Sequence, residues 1–237
     1  MITMAQELKI DDDFWQLFPD TTVGVVRALG VNNTADVPES LLAEANQTAQ
    51  KYVQEDPISA NPIVADWREA YRKFKTKKGA RSSIEALMKR AKQGKPVSSI
   101  NAMVDLYNIV SLTYGIPVGG ENIDSLKGDM HLKIAQGGED FQPLGENDSE
   151  PALPGEVVYQ DGESIVCRCW NWRDGQRTML KDDTTNAILV LENVNPDREQ
   201  NLVDAVNALC DLLAKYVGGD ISSAILSQNN PSFQFRN

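Results

Sequence analysis

The sequence has 237 residues, of which 41% are hydrophobic, and its formal net charge is −11. This length suits one substantial core, so we expect a single domain over residues 1–237, with its core in about 5–220. No stretch approaches the ~18 consecutive apolar residues of a membrane span, and the opening residues resemble no secretory leader, so we expect a cytoplasmic protein.

The first part of the chain is predicted to alternate strands with helices. Residues 1–31 read as a strand, a short helix and a second strand. Apolar residues then recur at intervals of three and four over 36–55 and from Ile63 to Phe74, which predicts two amphipathic helices. A third helix is predicted in RSSIEALMKRAKQG, beginning at Ser82 or Ser83 because a hydroxyl side chain favours the first position of a helix.

Basic residues are concentrated in one segment of this acidic chain. Between Arg68 and Lys95 there are eleven Lys or Arg and two Glu, a local charge of +9 that leaves −20 for the rest. This asymmetry is expected where one face meets the phosphates of a nucleic acid, but a solvated basic helix face explains it equally well. The candidate RNA-binding residues are Arg72, Lys75, Lys77, Lys78 and Arg81.

The segment INAMVDLYNIVSLTYG is predicted to form a buried helix, because its apolar residues surround the helix almost completely. Asn101, Asp105 and Asn108 form one polar line along it. Buried polar groups need hydrogen-bond partners. These three side chains therefore either fix a neighbouring loop or line a cavity, and the sequence favours neither.

In the second half, the residue pattern changes to that of strands. Apolar and polar residues alternate in DMHLKIA, as in a strand with one buried face. A hairpin around Asp161 and Gly162 is predicted in EVVYQDGESIVCRCWNW, and a short apolar strand in NAILVLENV. A helix is predicted from about 197 to 217, and residues 221–237 are expected to form a loose tail. Helices followed by strands indicate an α+β protein.

Several common catalytic sites are excluded by their missing motifs. The chain contains no G-x-G-x-x-G sequence, no Walker loop and no G-x-S-x-G elbow. His131 is the only histidine, and on an alternating strand it points away from Met130 and Leu132. Any hydrolysis is therefore expected to activate water without an imidazole base, and we expect neither a metal nor another cofactor.

The segment CRCWNWRDG brings aromatic and basic residues together. On a regular strand, Arg168, Trp170 and Trp172 would share one face. Such a face could stack a ribose, a base or an aromatic side chain. It could equally be a buried wall whose indole N–H groups meet carbonyl oxygens, and both interpretations stay open.

The middle of the chain resembles a known domain. INAMVDLYNIVSLTYGIPVGGENIDSLKGDMHLKIAQGGEDFQPLG is similar to the B3/B4 domain of the β subunit of bacterial phenylalanyl-tRNA synthetase, and NAILVLENVNP is similar to a later strand of that domain. With RSSIEALMKR, GEVVYQD and VCRCWNWRDG in the same order, the chain resembles the free-standing B3/B4 proteins over roughly residues 5–220.

In the synthetase, this domain hydrolyses tyrosine wrongly esterified to phenylalanine tRNA. The resemblance implies a B3/B4 fold, with a central, mostly antiparallel or mixed sheet flanked by helices, and a pocket for an aminoacyl group at a tRNA acceptor end. Asn101, Asp105 and Asn108 match positions of the motif helix, and Glu192 resembles the carboxylate that recognises the substrate hydroxyl. Gly119 stands where the synthetase has a histidine, so Gly119 and Gly120 are interpreted as a pocket rim where the main chain approaches the ligand.

Two functions follow from the resemblance. The first is a trans-acting deacylase that removes a mischarged amino acid from tRNA by means of a positioned water. The alternative is a non-catalytic module that binds tRNA or an amino-acid-like ligand. The candidate ligand-binding residues are Asn101, Asp105, Asn108, Gly119, Gly120, Trp170, Trp172 and Glu192; no catalytic residue is assigned.

Overall fold

The computed structural model describes residues 5–236. Its α-helices are α1 Asp12–Leu17, α2 Glu39–Thr48, α3 Pro62–Arg72, α4 Ser83–Lys92, α5 Ala102–Tyr114 and α6 Glu199–Tyr216. Its strands are β1 Gln6–Ile10, β2 Thr22–Leu29, β3 Val118–Asn122, β4 Met130–Ile134, β5 Val157–Gln160, β6 Ile165–Arg168, β7 Arg173–Asp174, β8 Asn186–Asn193, β9 Asp220–Leu226 and β10 Ser232–Arg236. This mixture of helices and strands confirms the predicted α+β class.

The described strands form two sheets. The larger sheet has the order β10-β1-β4-β5-β6-β7 and is mixed, because β1 and β4 run parallel while its other neighbours run antiparallel. The smaller sheet has the order β3-β8-β2-β9 and is antiparallel throughout. Helix α6 packs on the smaller sheet, and α5 packs between α2, α6 and β3.

Two of the helix starts follow from their capping residues. Ser82 caps α4, since its hydroxyl accepts a hydrogen bond from the Glu85 N–H at 3.3 Å. Asn101 caps α5 in the same way, accepting from the Val104 N–H at 3.1 Å. Helix α5 ends at Gly115, whose φ of 62° lies in the left-handed region that glycine adopts easily.

The expectation of a loose tail is wrong. Residues 220–226 and 232–236 form β9 and β10, which pair with β2 and β1 respectively. The segment looked loose because it is polar, but β9 and β10 lie at sheet edges, where strands tolerate polar side chains.

The glycine pair, interpreted from the sequence as a pocket rim, belongs to a strand. Gly119 and Gly120 lie within β3 and pair with Val190 and Leu189 of β8. They are ordinary strand residues in backbone geometry, since neither has a positive φ.

In residues 5–236, no helix is both long and apolar enough to cross a membrane.

Candidate functional site

The two sheets enclose a small cavity, which we call the inner pocket. Its volume is about 70 Å³. One wall comes from β3 and β8 of the smaller sheet, and the other comes from β4 to β7 of the larger sheet. The residues lining the inner pocket are Ser83, Val118, Gly119, Glu121, Met130, Tyr159, Cys167, Trp170, Asn171, Trp172, Asp174, Val190 and Glu192.

Strand alternation decides which residues of β3 enter the inner pocket. Gly119 and Glu121 are two residues apart, so they share a face, while Gly120 faces the opposite way. A Cβ at Gly120 would lie 3.0 Å from the Leu180 side chain, whereas a Cβ at Gly119 would meet nothing within 4 Å. Gly119 therefore leaves open space at the pocket, and Gly120 permits close packing on the other face.

Three carboxyl groups converge on this cavity from three strands. Glu121 comes from β3, Asp174 from β7 and Glu192 from β8. Glu121 and Glu192 are almost fully buried, with exposures of 5% and 1%, and Asp174 is partly buried. Carboxyl groups at such positions lose hydration, which disfavours their charged form.

Glu192 is held by two hydrogen bonds. The Tyr159 hydroxyl donates to its Oε1 at 2.9 Å, and Asn171 Nδ2 donates to its Oε2 at 3.4 Å. Burial raises the pKa of Glu192 to about 8, and the nearby Asp174 adds to the shift, although both hydrogen bonds act against it. This carboxyl group consequently changes protonation near neutral pH.

The pKa values of Glu121 and Asp174 are also raised. Burial raises the pKa of Glu121 well above its ordinary value, and repulsion from Asp174 adds to that effect. Burial likewise raises the pKa of Asp174, although a hydrogen bond with Cys167 opposes it. The Glu121 Oε2 atom is buried and has no hydrogen-bond partner.

Trp170 forms the back of the inner pocket. Its ring packs edge-on against Phe14 and Trp67 and at a tilt against Phe18, with centroid distances of 5.1, 4.9 and 4.7 Å. The side chain is fully buried, yet its indole N–H has no hydrogen-bond partner. A buried N–H usually finds an acceptor, so an unpaired one beside a cavity is available to a ligand.

A second cavity, which we call the basic hollow, lies between α3 and α4. It has a volume of about 410 Å³ and is open to solvent. Four cationic residues line it, namely Arg68, Arg72, Arg81 and Lys89. Tyr71 and Ser82 also line it. Glu85 neutralises one of these cations, since it accepts two hydrogen bonds from Arg68 at 2.7 and 3.1 Å.

Asn171 joins the basic hollow to the inner pocket. Its Oδ1 accepts from the Ser83 N–H at 3.3 Å and lies 3.1 Å from the Tyr71 hydroxyl, which also contacts the Cys169 carbonyl at 2.7 Å. Its Nδ2 donates to Glu192. One wall of hydrogen-bonded side chains thus separates a cationic outer cavity from an acidic inner one.

The structure brings together four of the eight predicted ligand-binding residues. Gly119, Trp170, Trp172 and Glu192 line the inner pocket. The other four, Asn101, Asp105, Asn108 and Gly120, do not line it.

The polar line on α5 mainly fixes loops. Asn101 caps α5 and donates to the Leu180 carbonyl at 3.3 Å. Asp105 accepts from the Ile100 N–H at 2.8 Å and from the Ser99 hydroxyl. Asn108 is buried within α5. Asn101 and Asp105 thus fix the segments at 99–101 and 180, and Asp105 also lines a separate cavity of about 250 Å³ beside α2, so both alternatives apply to this line.

The predicted shared face of Arg168, Trp170 and Trp172 is wrong. Strand β6 ends at Arg168, and Cys169 and Trp170 have φ of 49° and 66°, so the chain turns sharply there. Arg168 instead forms a two-point ion pair with Glu156, at 2.8 and 2.9 Å, inside the protein. The strand pattern failed because alternation requires extended backbone at every residue.

The predicted RNA-binding residues lie in three different places. Arg72 and Arg81 line the basic hollow, although Arg72 also pairs with Glu69. Lys75 and Lys77 lie against the segment 150–155, where the Lys75 N–H donates to the Gly155 carbonyl and Lys77 pairs with Glu150. Lys78 is exposed in the segment that connects α3 and α4.

Sequence reasoning missed Glu121, Tyr159, Asn171 and Asp174. Alternation from Gly119 would have placed Glu121 in the pocket, had GGE been read as a strand. Nothing in the sequence indicated that Tyr159 and Asn171 would hold Glu192, because that contact depends on how the two sheets face each other.

Comparisons with known proteins agree with this architecture. A family model described as the B3/4 domain matches residues 66–218. The phenylalanine–tRNA ligase beta subunit of Neisseria meningitidis is 28% identical over 110 residues, which cover 46% of this chain and 14% of that protein. The corresponding subunit of Fusobacterium nucleatum is 23% identical over 155 residues, which cover 56% and 19%.

Among solved structures, an N-terminal fragment of the phenylalanyl-tRNA synthetase beta subunit from Pyrococcus horikoshii is similar in fold. The TM-score is 0.52 with 13% sequence identity, and the match covers 97% of this chain and 54% of that fragment. The chain spans less than a fifth of the length of the two ligase subunits it matches.

Proposed function

Because the chain belongs to the B3/4 domain family, we propose that it hydrolyses the ester bond joining a wrongly attached amino acid to tRNA. The observation that carries this proposal is the pairing of the basic hollow with the inner pocket across Asn171. The hollow suits the phosphates of an acceptor end, and the pocket suits the esterified residue.

Hydrolysis of an aminoacyl ester requires few groups from the protein. An aminoacyl ester is already reactive, so the site must hold it, place a water and stabilise the oxyanion that develops on the carbonyl oxygen. The unpaired Trp170 N–H supplies a donor for that oxygen. Glu192, whose pKa is raised to about 8, is in its ionised form a stronger base than an ordinary carboxylate, and the fraction able to accept a proton from water grows as pH rises toward 8. His131 takes no part, since it is outside the inner pocket and contacts Asp11 at 2.7 Å.

The dimensions of the pocket favour a small amino acid. A water needs about 10–15 Å³ of such a cavity, so about 70 Å³ holds on the order of five water-sized groups. The Tyr159 hydroxyl already occupies one acceptor site of Glu192, the carboxylate that the resemblance assigns to the substrate hydroxyl. We therefore expect removal of residues such as alanine, serine or threonine rather than tyrosine.

The test is to incubate the purified protein with a panel of correctly and incorrectly charged tRNAs and to measure the amino acid released. We expect release from at least one tRNA carrying a small amino acid. Gly119→Leu should abolish this release, because the new side chain fills the open space at the pocket. Its thermal melting temperature should match that of the unaltered protein, which separates blockage from unfolding.

The contact between Tyr159 and Glu192 also favours a second candidate, a non-catalytic module that binds tRNA or an amino-acid-like ligand. Because Glu192 already accepts a hydrogen bond from Tyr159, it is held in place as part of a rigid binding surface and is less free to take a proton from water. Tight binding of charged tRNA, with no release from any member of the panel, would support this candidate and contradict the first. Release from esters that lack RNA, at rates equal to those from tRNA, would contradict both.

A further inference from the structure

The inner pocket contains two unpaired, buried polar atoms of opposite hydrogen-bonding character. Glu121 is 5% exposed and its Oε2 has no partner, while Trp170 is 0% exposed and its Nε1 has none. One is an acceptor and the other a donor, and both side chains line the same cavity. Buried polar groups are rarely left unpaired, so a ligand with a complementary donor and acceptor is the expected partner of both.

The acidic side of the cavity has no cationic counterpart. In the part of the chain that the structure describes, none of the ion pairs involves Glu121, Asp174 or Glu192, and no Lys or Arg lines the inner pocket. Arg177 lowers the pKa of Glu121 through its charge, but it is hydrogen-bonded to Asp161 at 2.7 Å. A positively charged ligand would supply the cationic partner that these carboxyl groups lack.

We infer that the inner pocket binds a protonated primary amine, namely the α-ammonium group of an aminoacyl ester, at Glu121 and Asp174. The ester carbonyl of the same ligand accepts from the Trp170 N–H. This inference rests on the proposed function for the source of the amine. It goes further by assigning ligand-binding roles to Glu121 and Asp174, and by requiring a free amino group on the ligand.

The protonation of the pocket supports this assignment. Burial raises the pKa values of Glu121, Asp174 and Glu192, that of Glu192 to about 8, so without a ligand each group holds its proton to a higher pH than an exposed carboxyl group does. An ammonium group favours their charged forms, and its binding therefore releases protons. Asp174 and Asp161 raise the pKa of Glu121, and Thr178 and Arg177 lower it. Tyr107, Tyr159 and Cys167 also interact electrostatically with Glu121.

The experiment uses RNA-free probes, so that it does not depend on deacylation. Glycinamide carries an α-amine, N-acetylglycinamide is its matched control without one, and Nα-acetyl-lysinamide carries only a side-chain amine. Binding is followed by the indole ¹H–¹⁵N resonances and by calorimetry in buffers of different ionisation enthalpy. We expect glycinamide to shift one indole resonance and to release protons, and both acetylated probes to do neither.

Variants identify the carboxyl groups responsible. Glu121→Gln and Asp174→Asn keep the size of each side chain, and each should weaken glycinamide binding by at least about tenfold, since a hydrogen bond to a charged group is lost. Glu44→Gln, an exposed change on α2, should leave binding unaltered. Far-ultraviolet circular dichroism and melting temperature establish that each variant is folded.

The outcomes separate this inference from the proposed function. Equal binding of glycinamide and N-acetylglycinamide, or binding that both variants leave unchanged, would overturn the amine site even if charged tRNA is deacylated. Binding of Nα-acetyl-lysinamide alone would move the ligand to a side-chain amine and overturn the α-ammonium assignment. Binding of Mg²⁺ or Zn²⁺ that Glu121→Gln and Asp174→Asn abolish, with no binding of glycinamide, would assign the carboxyl groups to a metal and overturn the amine site. Amine binding without any deacylation would support the site and contradict the catalytic proposal.

Discussion

Glu192 illustrates how its surroundings alter a single residue. The same carboxyl group on the surface would be ionised at neutral pH and would interact mainly with water. Enclosed between the two sheets, it depends on Tyr159 and Asn171, and its pKa rises to about 8. This residue is therefore sensitive to pH in a range where ordinary carboxylates do not titrate.

The raised pKa makes a prediction about stability. Between the ordinary value of 4.5 and about 8, folded Glu192 retains a proton that the unfolded chain has released. The free energy of unfolding should therefore fall as pH rises through this range, by at most about 1.4 kcal/mol per pH unit from this group, and change no further above it. Glu192→Gln should remove this part of the slope.

Chemical denaturation between pH 5 and pH 9 measures both proteins, with Glu44→Gln as the exposed control. Glu121 and Asp174 contribute slopes of the same sign, so the informative quantity is the difference between variant and unaltered protein. Identical slopes for the two would show that Glu192 is ionised in the folded state throughout this range.

At the residue scale, the sequence predicted pocket residues only where the resemblance or a distinctive residue type marked them. Glu192 and Gly119 were found by position, and Trp170 and Trp172 by their aromatic character. Glu121 was missed because the glycine pair before it was interpreted as a pocket rim and not as part of a strand, and only the pairing of β3 with β8 encloses it. These contacts join residues far apart in sequence, which no local pattern records.

At the scale of elements, periodicity was the reliable signal. Helices α3, α5 and α6 and strands β4 and β8 were predicted because their apolar residues recur at helical or strand spacing. Strands β3, β9 and β10 were missed because glycine, serine and polar residues conceal the strand pattern. Such strands are determined by the neighbour that supplies their hydrogen bonds, rather than by their own composition.

The packing of α6 on the smaller sheet depends on one glycine. A Cβ at Gly24 would overlap the Val206 side chain and approach Leu202 to 3.4 Å. We predict that Gly24→Ala destabilises the protein by about 1–3 kcal/mol, because α6 must move away from β2. Urea unfolding provides the measurement.

Gly119→Ala is the matched control for this prediction. It makes the same chemical change on another strand of the same sheet, but the new Cβ meets nothing within 4 Å. Its free energy of unfolding should stay within about 0.5 kcal/mol of that of the unaltered protein. Similar losses in both variants would mean that the glycines act through strand propensity and not through the contact with α6.

At the scale of the whole molecule, charge is segregated. A chain with a net charge of −11 places four cations around the basic hollow, next to a pocket lined by three carboxyl groups. The sequence predicted this segregation from the charge of +9 between Arg68 and Lys95. It could not predict which cations share a cavity, because Lys77 is neutralised by Glu150, from a distant segment.

Salt dependence tests whether the basic hollow contacts phosphates. Neutralising Arg72, Arg81 and Lys89 with glutamine should weaken tRNA binding and reduce the slope of log K against log salt by about 2, since each lost phosphate contact contributes about 0.7–0.9. Binding is measured by filter retention between 50 and 200 mM salt, in about the range where such contacts dominate.

A triple variant at Lys51, Lys127 and Lys215 is the control, because it removes the same charge from exposed positions that do not line the hollow. An equal loss of slope in the control would assign the effect to net charge alone. If neither variant alters the slope, the hollow does not contact phosphates.

The pairing of β1 with β10 has a consequence for how the protein is made. Gln6 lies opposite Arg236, so one edge of the larger sheet joins residues from nearly the whole length of the described chain. A ribosome delivers β1 more than 200 residues before its antiparallel neighbour β10. The larger sheet is therefore completed only after residue 236 has been synthesised, and until then the nascent chain has an unoccupied β1 edge for chaperones to cover.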